Sequence, residues 1–100
     1  MLTIQQIKDT VTTYFKDKPV KKVYLFGSYA RGDAKEGSDV DLMVEFDDSK
    51  KRLSFFDVLR FQVSLGEILK TEVGMIEEHA ITSDRLLFNV SRDKIQIFQA

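Results

Sequence analysis

The sequence predicts an α/β (α+β) fold in which one sheet is backed by helices, as a single domain over residues 1–100. Three observations lead there. Segments with helical apolar spacing alternate with short β-rich segments in the order α-β-α-β-α-β-α-β. One hundred residues hold one core and little besides. Hydrophobic residues at 43% and charged residues at 31% are the balance of an ordinary globular domain.

The elements follow in order. Residues 3–17 place Ile4, Ile7, Val11, Tyr14 and Phe15 at helical spacing, Thr3 with Gln6 has the form of a capping box, and Pro19 ends the helix. Residues 22–26 are a short strand stopped by Gly27-Ser28, and residues 29–35 are a helix kept short by Gly32 and Gly37. Residues 40–46 alternate cleanly: Val40, Leu42, Val44 and Phe46 share one face, Asp39, Asp41, Met43 and Glu45 the other. A polar loop over residues 47–52 leads to the longest helix, residues 54–70, with Ser54 as N-cap and Asp57 completing a second capping box. A strand at 71–76, a helix at 83–91 and a strand at 94–98 finish the chain.

Composition excludes several classes. With no cysteine there are no disulfides or thiolate metal sites, and the lone His79 excludes a multi-histidine zinc centre, leaving it a loop or packing residue. A net charge of −1 offers no broad basic field, so direct DNA binding is not expected. No apolar stretch reaches membrane-spanning length and no signal pattern opens the chain, so a cytoplasmic protein without membrane contact is expected. The charges are segregated: residues 36–48 carry Glu36, Asp39, Asp41, Glu45, Asp47 and Asp48 with no Lys or Arg among them.

Strand periodicity sets Asp39 and Asp41 side by side, their Cα atoms roughly 6.5–7 Å apart. Two unpaired carboxylates at that separation repel, and a magnesium ion, which favours one or two carboxylates with phosphate oxygens and water, relieves the repulsion. Gly27-Ser28 lies where a strand gives way to a helix, so backbone N–H groups can approach an anion, with the Ser28 hydroxyl as a further donor. Arg31, one turn on, is placed for a bidentate phosphate contact. Taken singly, Asp-x-Asp is more often the solvated face of a strand, Gly-Ser a turn and Arg31 a surface cation. A P-loop does not fit, since Asp33 stands where that motif needs Lys.

Together these features form a pattern. The stretch VYLFGSYARGDAKEGSDVDLMVEF, residues 23–46, resembles the polymerase-beta-like nucleotidyltransferase superfamily, and within it the minimal nucleotidyltransferases paired with HEPN-domain toxins. The family signature is Gly-Ser, ten residues, then Asp-x-Asp, which Gly27-Ser28 and Asp39-Val40-Asp41 match, as Ala30-Arg31-Gly32 and Ser38 match its context. The resemblance implies the nucleotidyltransferase fold with a mixed sheet. It implies nucleotide binding by Gly27, Ser28, Arg31 and Ser38, and two magnesium ions held by Asp39 and Asp41. The implied reaction moves a nucleoside monophosphate from ATP or another nucleoside triphosphate onto a hydroxyl, expected to be a tyrosine of a separate HEPN toxin. The HEPN ribonuclease motif itself, an Arg followed four to six residues later by His, is absent from this chain.

One position departs from the pattern. The family's third carboxylate, on the next strand, falls on Gly74 within Val73-Gly74-Met75-Ile76. Strand alternation puts Glu72 on the same face, a weak catalytic candidate beside the plainer role of an exposed strand start; Glu77 and Glu78 are weaker still. The alternative function is therefore a catalytically weakened, antitoxin-like subunit that neutralises its partner by contact. An association surface is expected on the 54–70 helix, whose apolar residues Phe55, Phe56, Val58, Leu59, Phe61, Val63, Leu65, Ile68 and Leu69 exceed one stripe. Some of Phe55, Phe56 and Phe61 are expected to stay exposed, for a partner subunit or a second copy.

Overall fold

The computed structural model describes residues 1–47, 49, 53–78 and 84–100, without the side chain of Leu86. The expected alternation is present. The order is α1 (Ile4–Phe15), β1 (Val20–Phe26), α2 (Ser28–Arg31), β2 (Val40–Phe46), α3 (Phe55–Leu69), β3 (Val73–Glu77), α4 (Asp84–Asp93) and β4 (Ile95–Gln99). His79, Asp48, residues 50–52 and Ser83 lie outside the described residues.

Both capping boxes form. The Thr3 hydroxyl accepts from the Gln6 N–H at 3.1 Å while the Thr3 N–H donates to Gln6 Oε1 at 2.8 Å. At α3 the Ser54 N–H donates to Asp57 Oδ2 at 2.9 Å, and the Asp57 N–H donates back to Ser54 Oγ at 3.4 Å. Each box satisfies a helix-start N–H that has no intrahelical partner.

The sheet is mixed, in the order β3-β2-β1-β4. β1 pairs antiparallel with β2 and β4, and β2 pairs parallel with β3 through the α3 crossover. α1 and α3 cover one face. Ile7, Val11 and Phe15 from α1 and Val58, Phe61, Leu65 and Leu69 from α3 meet Val23, Leu25, Val40, Leu42, Val44 and Val73 in one core. Phe61 is therefore core: its ring stands edge-on to Phe15, centroids 5.7 Å apart, and to Tyr14 at 6.1 Å. The expectation that some of Phe55, Phe56 and Phe61 stay exposed is met by Phe55 and Phe56. The reason is angular: Phe61 shares a helix stripe with Val58, Leu65 and Leu69, whereas Phe55 and Phe56 do not.

The second sheet face is covered in part. α4 packs against β1, and Met43, on the opposite side of β2 from Leu42 and Val44, is buried. The face that alternation assigns to Asp39, Asp41, Met43 and Glu45 is thus closed at Met43, while Asp41 is half-buried and Asp39 exposed.

Candidate active site

β1 ends at Phe26, which is the register partner of Asp41 on β2, and Asp41 is in turn the register partner of Gly74 on β3. Three neighbouring strands therefore converge on one carboxylate. Gly27 follows with φ +77° and ψ −155°, a conformation open almost only to glycine. A Cβ at Gly27 would overlap Asp41 Oδ2 and stand 3.2 Å from its carboxyl carbon. The glycine thus serves twice: it turns the chain into α2, and it leaves the space in which the Asp41 carboxylate sits.

On the other side, a Cβ at Gly74 would lie 3.1 Å from Asp41 Oδ1. A side chain at residue 74 would therefore point straight at Asp41, the geometry expected of the third carboxylate position. Two glycines flank Asp41, one on each side.

α2 begins with the Arg31 N–H donating to the Gly27 carbonyl at 3.0 Å. The N–H groups of Ser28, Tyr29 and Ala30 have no partner within the helix, which is the usual state of a first turn. Gly27 supplies no side-chain cap, and the Ser28 hydroxyl makes no hydrogen bond among the described residues. This leaves a short run of donors beside Asp41, fit for phosphate oxygens.

The other sequence-predicted residues are placed differently. Arg31 is already engaged: its Nε donates to Asp33 Oδ2 at 3.2 Å and its Nη1 to Asp93 Oδ2 at 3.1 Å. Those two hydrogen bonds, Asp93 first, raise the Arg31 pKa, and Arg92, then Arg31, lower that of Asp93. Arg31 still lies near enough to Asp41 to favour its charged form. Ser38 closes the turn before β2: its hydroxyl accepts from the Lys35 N–H at 2.8 Å, and its N–H donates to the Lys35 carbonyl at 2.9 Å. Its carbonyl accepts from Thr71 Oγ1 at 3.3 Å, and the Val40 N–H donates to the Glu72 carbonyl at 3.0 Å. These bonds tie the starts of β2 and β3 together, so Ser38 positions Asp39. The Glu72 side chain is exposed and forms no three-carboxylate group with Asp39 and Asp41, none being present among the described residues.

A groove of about 670 Å³ opens beside this centre, lined by Asp39 and Gly74 together with Gln62, Val63, Gly66 and Glu67 of α3 and Glu72 before β3. Sequence reasoning missed the α3 residues, although Gln62, Gly66 and Val63 lie at helical spacing on one side of the helix.

Electrostatics show what the centre lacks. Burial raises the Asp41 pKa above its ordinary value, the Asp39 charge raises it further, and Arg31 lowers it. Neither the Asp39 nor the Asp41 carboxylate forms an ion pair or hydrogen bond among the described residues. A divalent cation would supply the missing counter-charge, and two carboxylates beside a row of phosphate donors fit magnesium carrying a triphosphate.

The family model described as polymerase beta, nucleotidyltransferase, matches residues 5–100. This chain belongs to that family. It is a nucleotidyltransferase, and its fold agrees. A Methanocaldococcus jannaschii protein provisionally named a protein adenylyltransferase is 37% identical over 101 residues, covering 97% of this chain and all of that one. The protein adenylyltransferase MntA of Thermococcus cleftensis is 32% identical over 87 residues, covering 83% and 85%. Among solved structures, a toxin–antitoxin complex with AMP-PNP superposes with a TM-score of 0.77 at 21% identity, covering 93% of this chain and 73% of that one. The tri-AMPylated Shewanella oneidensis HEPN toxin in complex with its MNT antitoxin gives 0.71 at 19% identity, covering 96% and 72%. No helix among the described residues of this nucleotidyltransferase is long and apolar enough to cross a membrane.

Proposed function

We propose that this nucleotidyltransferase moves AMP from magnesium-ATP to a tyrosine hydroxyl of a partner HEPN protein, and thereby acts as its antitoxin. The carrying observation is the seat of Asp41 between Gly27 and Gly74, with Asp39 beside it and the α2 donors adjacent. The names of the similar proteins, adenylyltransferases and a HEPN complex carrying AMP, support the choice of cargo and partner. The N–H groups of Ser28, Tyr29 and Ala30 and the Ser28 hydroxyl would orient the triphosphate, while Asp39 and Asp41 would hold two magnesium ions. Bound there, magnesium would offset the triphosphate charge and polarise the α-phosphoryl group. The acceptor oxygen, having given its proton to solvent, bonds to the α-phosphorus, the bond to the bridging oxygen breaks, and pyrophosphate leaves.

Gly74 bears on the acceptor. No carboxylate stands at the position from which the family draws the hydroxyl proton, and Glu72 faces solvent. A phenol, with a pKa of about 10, ionises far more readily than an aliphatic alcohol, so tyrosine suits a centre without its own base. The same glycine favours the second reading, a subunit that binds nucleotide and silences its partner by contact. The deciding experiment mixes the protein, magnesium, labelled ATP and a HEPN-domain protein from the same organism. Transfer of label to a tyrosine, absent without magnesium, supports the first reading; a stable complex without label establishes the second.

A further inference from the structure

α3 has two unlike sides. Val58, Phe61, Leu65 and Leu69 fill the core, while Phe55 (74% exposed), Phe56 (72%), Leu59 (42%) and Val63 (52%) stand in solvent. The exposed four are not scattered. Phe55, Leu59 and Val63 follow i, i+4, i+8 spacing, Phe56 and Val63 are two turns apart, and the Phe55 and Phe56 rings meet edge-on at 6.1 Å. Continued one turn, the stripe reaches Gly66 and Glu67, and there it becomes the wall of the groove that also holds Asp39 and Gly74. Val63 belongs to both. Ile68, also exposed, lies on the other flank of α3, against Tyr14 and Lys18 of the α1 side.

We propose that this stripe is the docking track of the acceptor protein, which seats on Phe55, Phe56 and Leu59 and passes its hydroxyl along the groove to Asp39 and Asp41. The inference rests on the transferase reading of the site. Continuity selects the occupant. Val63 belongs to both the stripe and the groove wall, so a protein seated on the stripe adjoins the groove that holds Asp39 and Gly74. Helix rise fixes the reach: from Phe56 to Gly66 is about 15 Å and from Leu59 about 10 Å. The partner therefore presents apolar anchors about 10–15 Å from its hydroxyl, a span that a small-molecule acceptor does not cover. Asp39, Glu67 and Glu72 line the far end, so the residues flanking that hydroxyl are neutral or basic.

The test uses a HEPN-domain protein from the same organism as acceptor and N-acetyltyrosinamide as an anchor-free phenol. Phe56→Ser and Leu59→Ser, both at exposed positions, each raise KM for the HEPN protein by at least about tenfold, the cost of losing an interface anchor. Both leave the KM for ATP and the rate with N-acetyltyrosinamide within twofold of the parent, and Ile68→Ser leaves all three unchanged. Parental KM for the HEPN protein in both variants overturns the track, as does loss of a self-dimer on sedimentation with KM unmoved. Should the parent bind the HEPN protein without modifying it, the transferase reading fails, and the complex Kd replaces KM: weakening in both variants upholds docking, and parental Kd overturns it. Neither binding nor transfer by the parent overturns both proposals.

Discussion

The two flanks of Asp41 differ in kind. On the β1 side the chain keeps every element the family pattern asks for: the Gly27-Ser28 turn, a short helix with free first-turn donors, and a backbone conformation that only glycine adopts readily. On the β3 side the backbone is equally well placed, with Gly74 in register and aimed at Asp41, yet the functional group is missing. The comparison separates two tasks. On the proposed function, holding a metal-nucleotide would depend on the first flank and the Asp39-Asp41 pair, and activating an acceptor would depend on the second. A site can lose the second and keep the first.

Removing the shared carboxylates should have the largest effect. Asp39→Asn and Asp41→Asn are each expected to lower transfer by on the order of 10³-fold, the scale of losing a preorganised electrostatic partner, and the double variant should lose the magnesium dependence of nucleotide binding. Calorimetry with and without magnesium reads the latter, and unchanged magnesium dependence would remove both residues from the metal site.

Gly27→Ala comes next. Its backbone conformation costs about 1–3 kcal/mol for a residue with a Cβ, and that Cβ also overlaps Asp41. Thermal melts should show the stability loss, and transfer should fall by about 10²-fold in the folded fraction. Full activity would mean that Asp41 is not seated as described.

The second flank is probed by a pair. Gly74→Ala adds a Cβ 3.1 Å from Asp41 Oδ1, so it reports the cost of crowding, whereas Gly74→Asp adds the same Cβ plus a carboxylate. Gly74→Asp is expected to turn over about 10²-fold faster than Gly74→Ala, at the low end of a general base's contribution, and Glu72→Gln should stay within about twofold of the parent. A large loss in Glu72→Gln with no difference between the Gly74 pair would reassign the base to Glu72.

The smallest effect is on stability. The folded Asp41 pKa is raised, so the folded state binds more protons than the unfolded state just above the ordinary carboxylate range. Stability therefore falls as pH rises through the Asp41 pKa, and the charged group opposes folding at neutral pH. Without metal, Asp41→Asn should melt about 1–3 °C above the parent at pH 7, a solvent-discounted share of the several degrees that 1 kcal/mol moves in a domain this size. The gap should close below about pH 4, where the parent carboxyl is protonated. A parent that melts higher at pH 7 would contradict the sign.

Local signals were legible in the sequence because their causes are local. The two capping boxes, the bounds of β2 and the Gly-Ser to Asp-x-Asp spacing all depend on residues a few places apart. What could not be read depends on distant partners. Arg31 looked free for phosphate because Asp93, 62 residues away, is brought beside it only by the fold. The face shared by Asp39, Asp41, Met43 and Glu45 reads correctly from alternation, but nothing in β2 announces that α4 packs on that side of the sheet and that Met43 is buried. Phe61 was within reach: its spacing from Val58, Leu65 and Leu69 already separates it from Phe55 and Phe56, but a count of apolar residues hides the angle.

The sheet order has a consequence for how the molecule breathes. Asp41 belongs to the antiparallel pair β1–β2, with Gly27 just after β1 and Asp39 just before β2, and these two strands are the central ones, joined by a short stretch of chain. Gly74 rides on β3, an edge strand with one neighbour, attached through the α3 crossover. Edge strands open at lower free energy than central ones, so the amides of Gly74 and Ile76 should exchange with solvent sooner than those of Val23, Leu25, Leu42 and Val44. An opening of β3 would leave the Asp39 and Asp41 carboxylates and the Gly27-Ser28 turn in place. On the proposed function, the half that would hold nucleotide is then the slower to exchange, and could stay loaded while the half that would meet the acceptor opens.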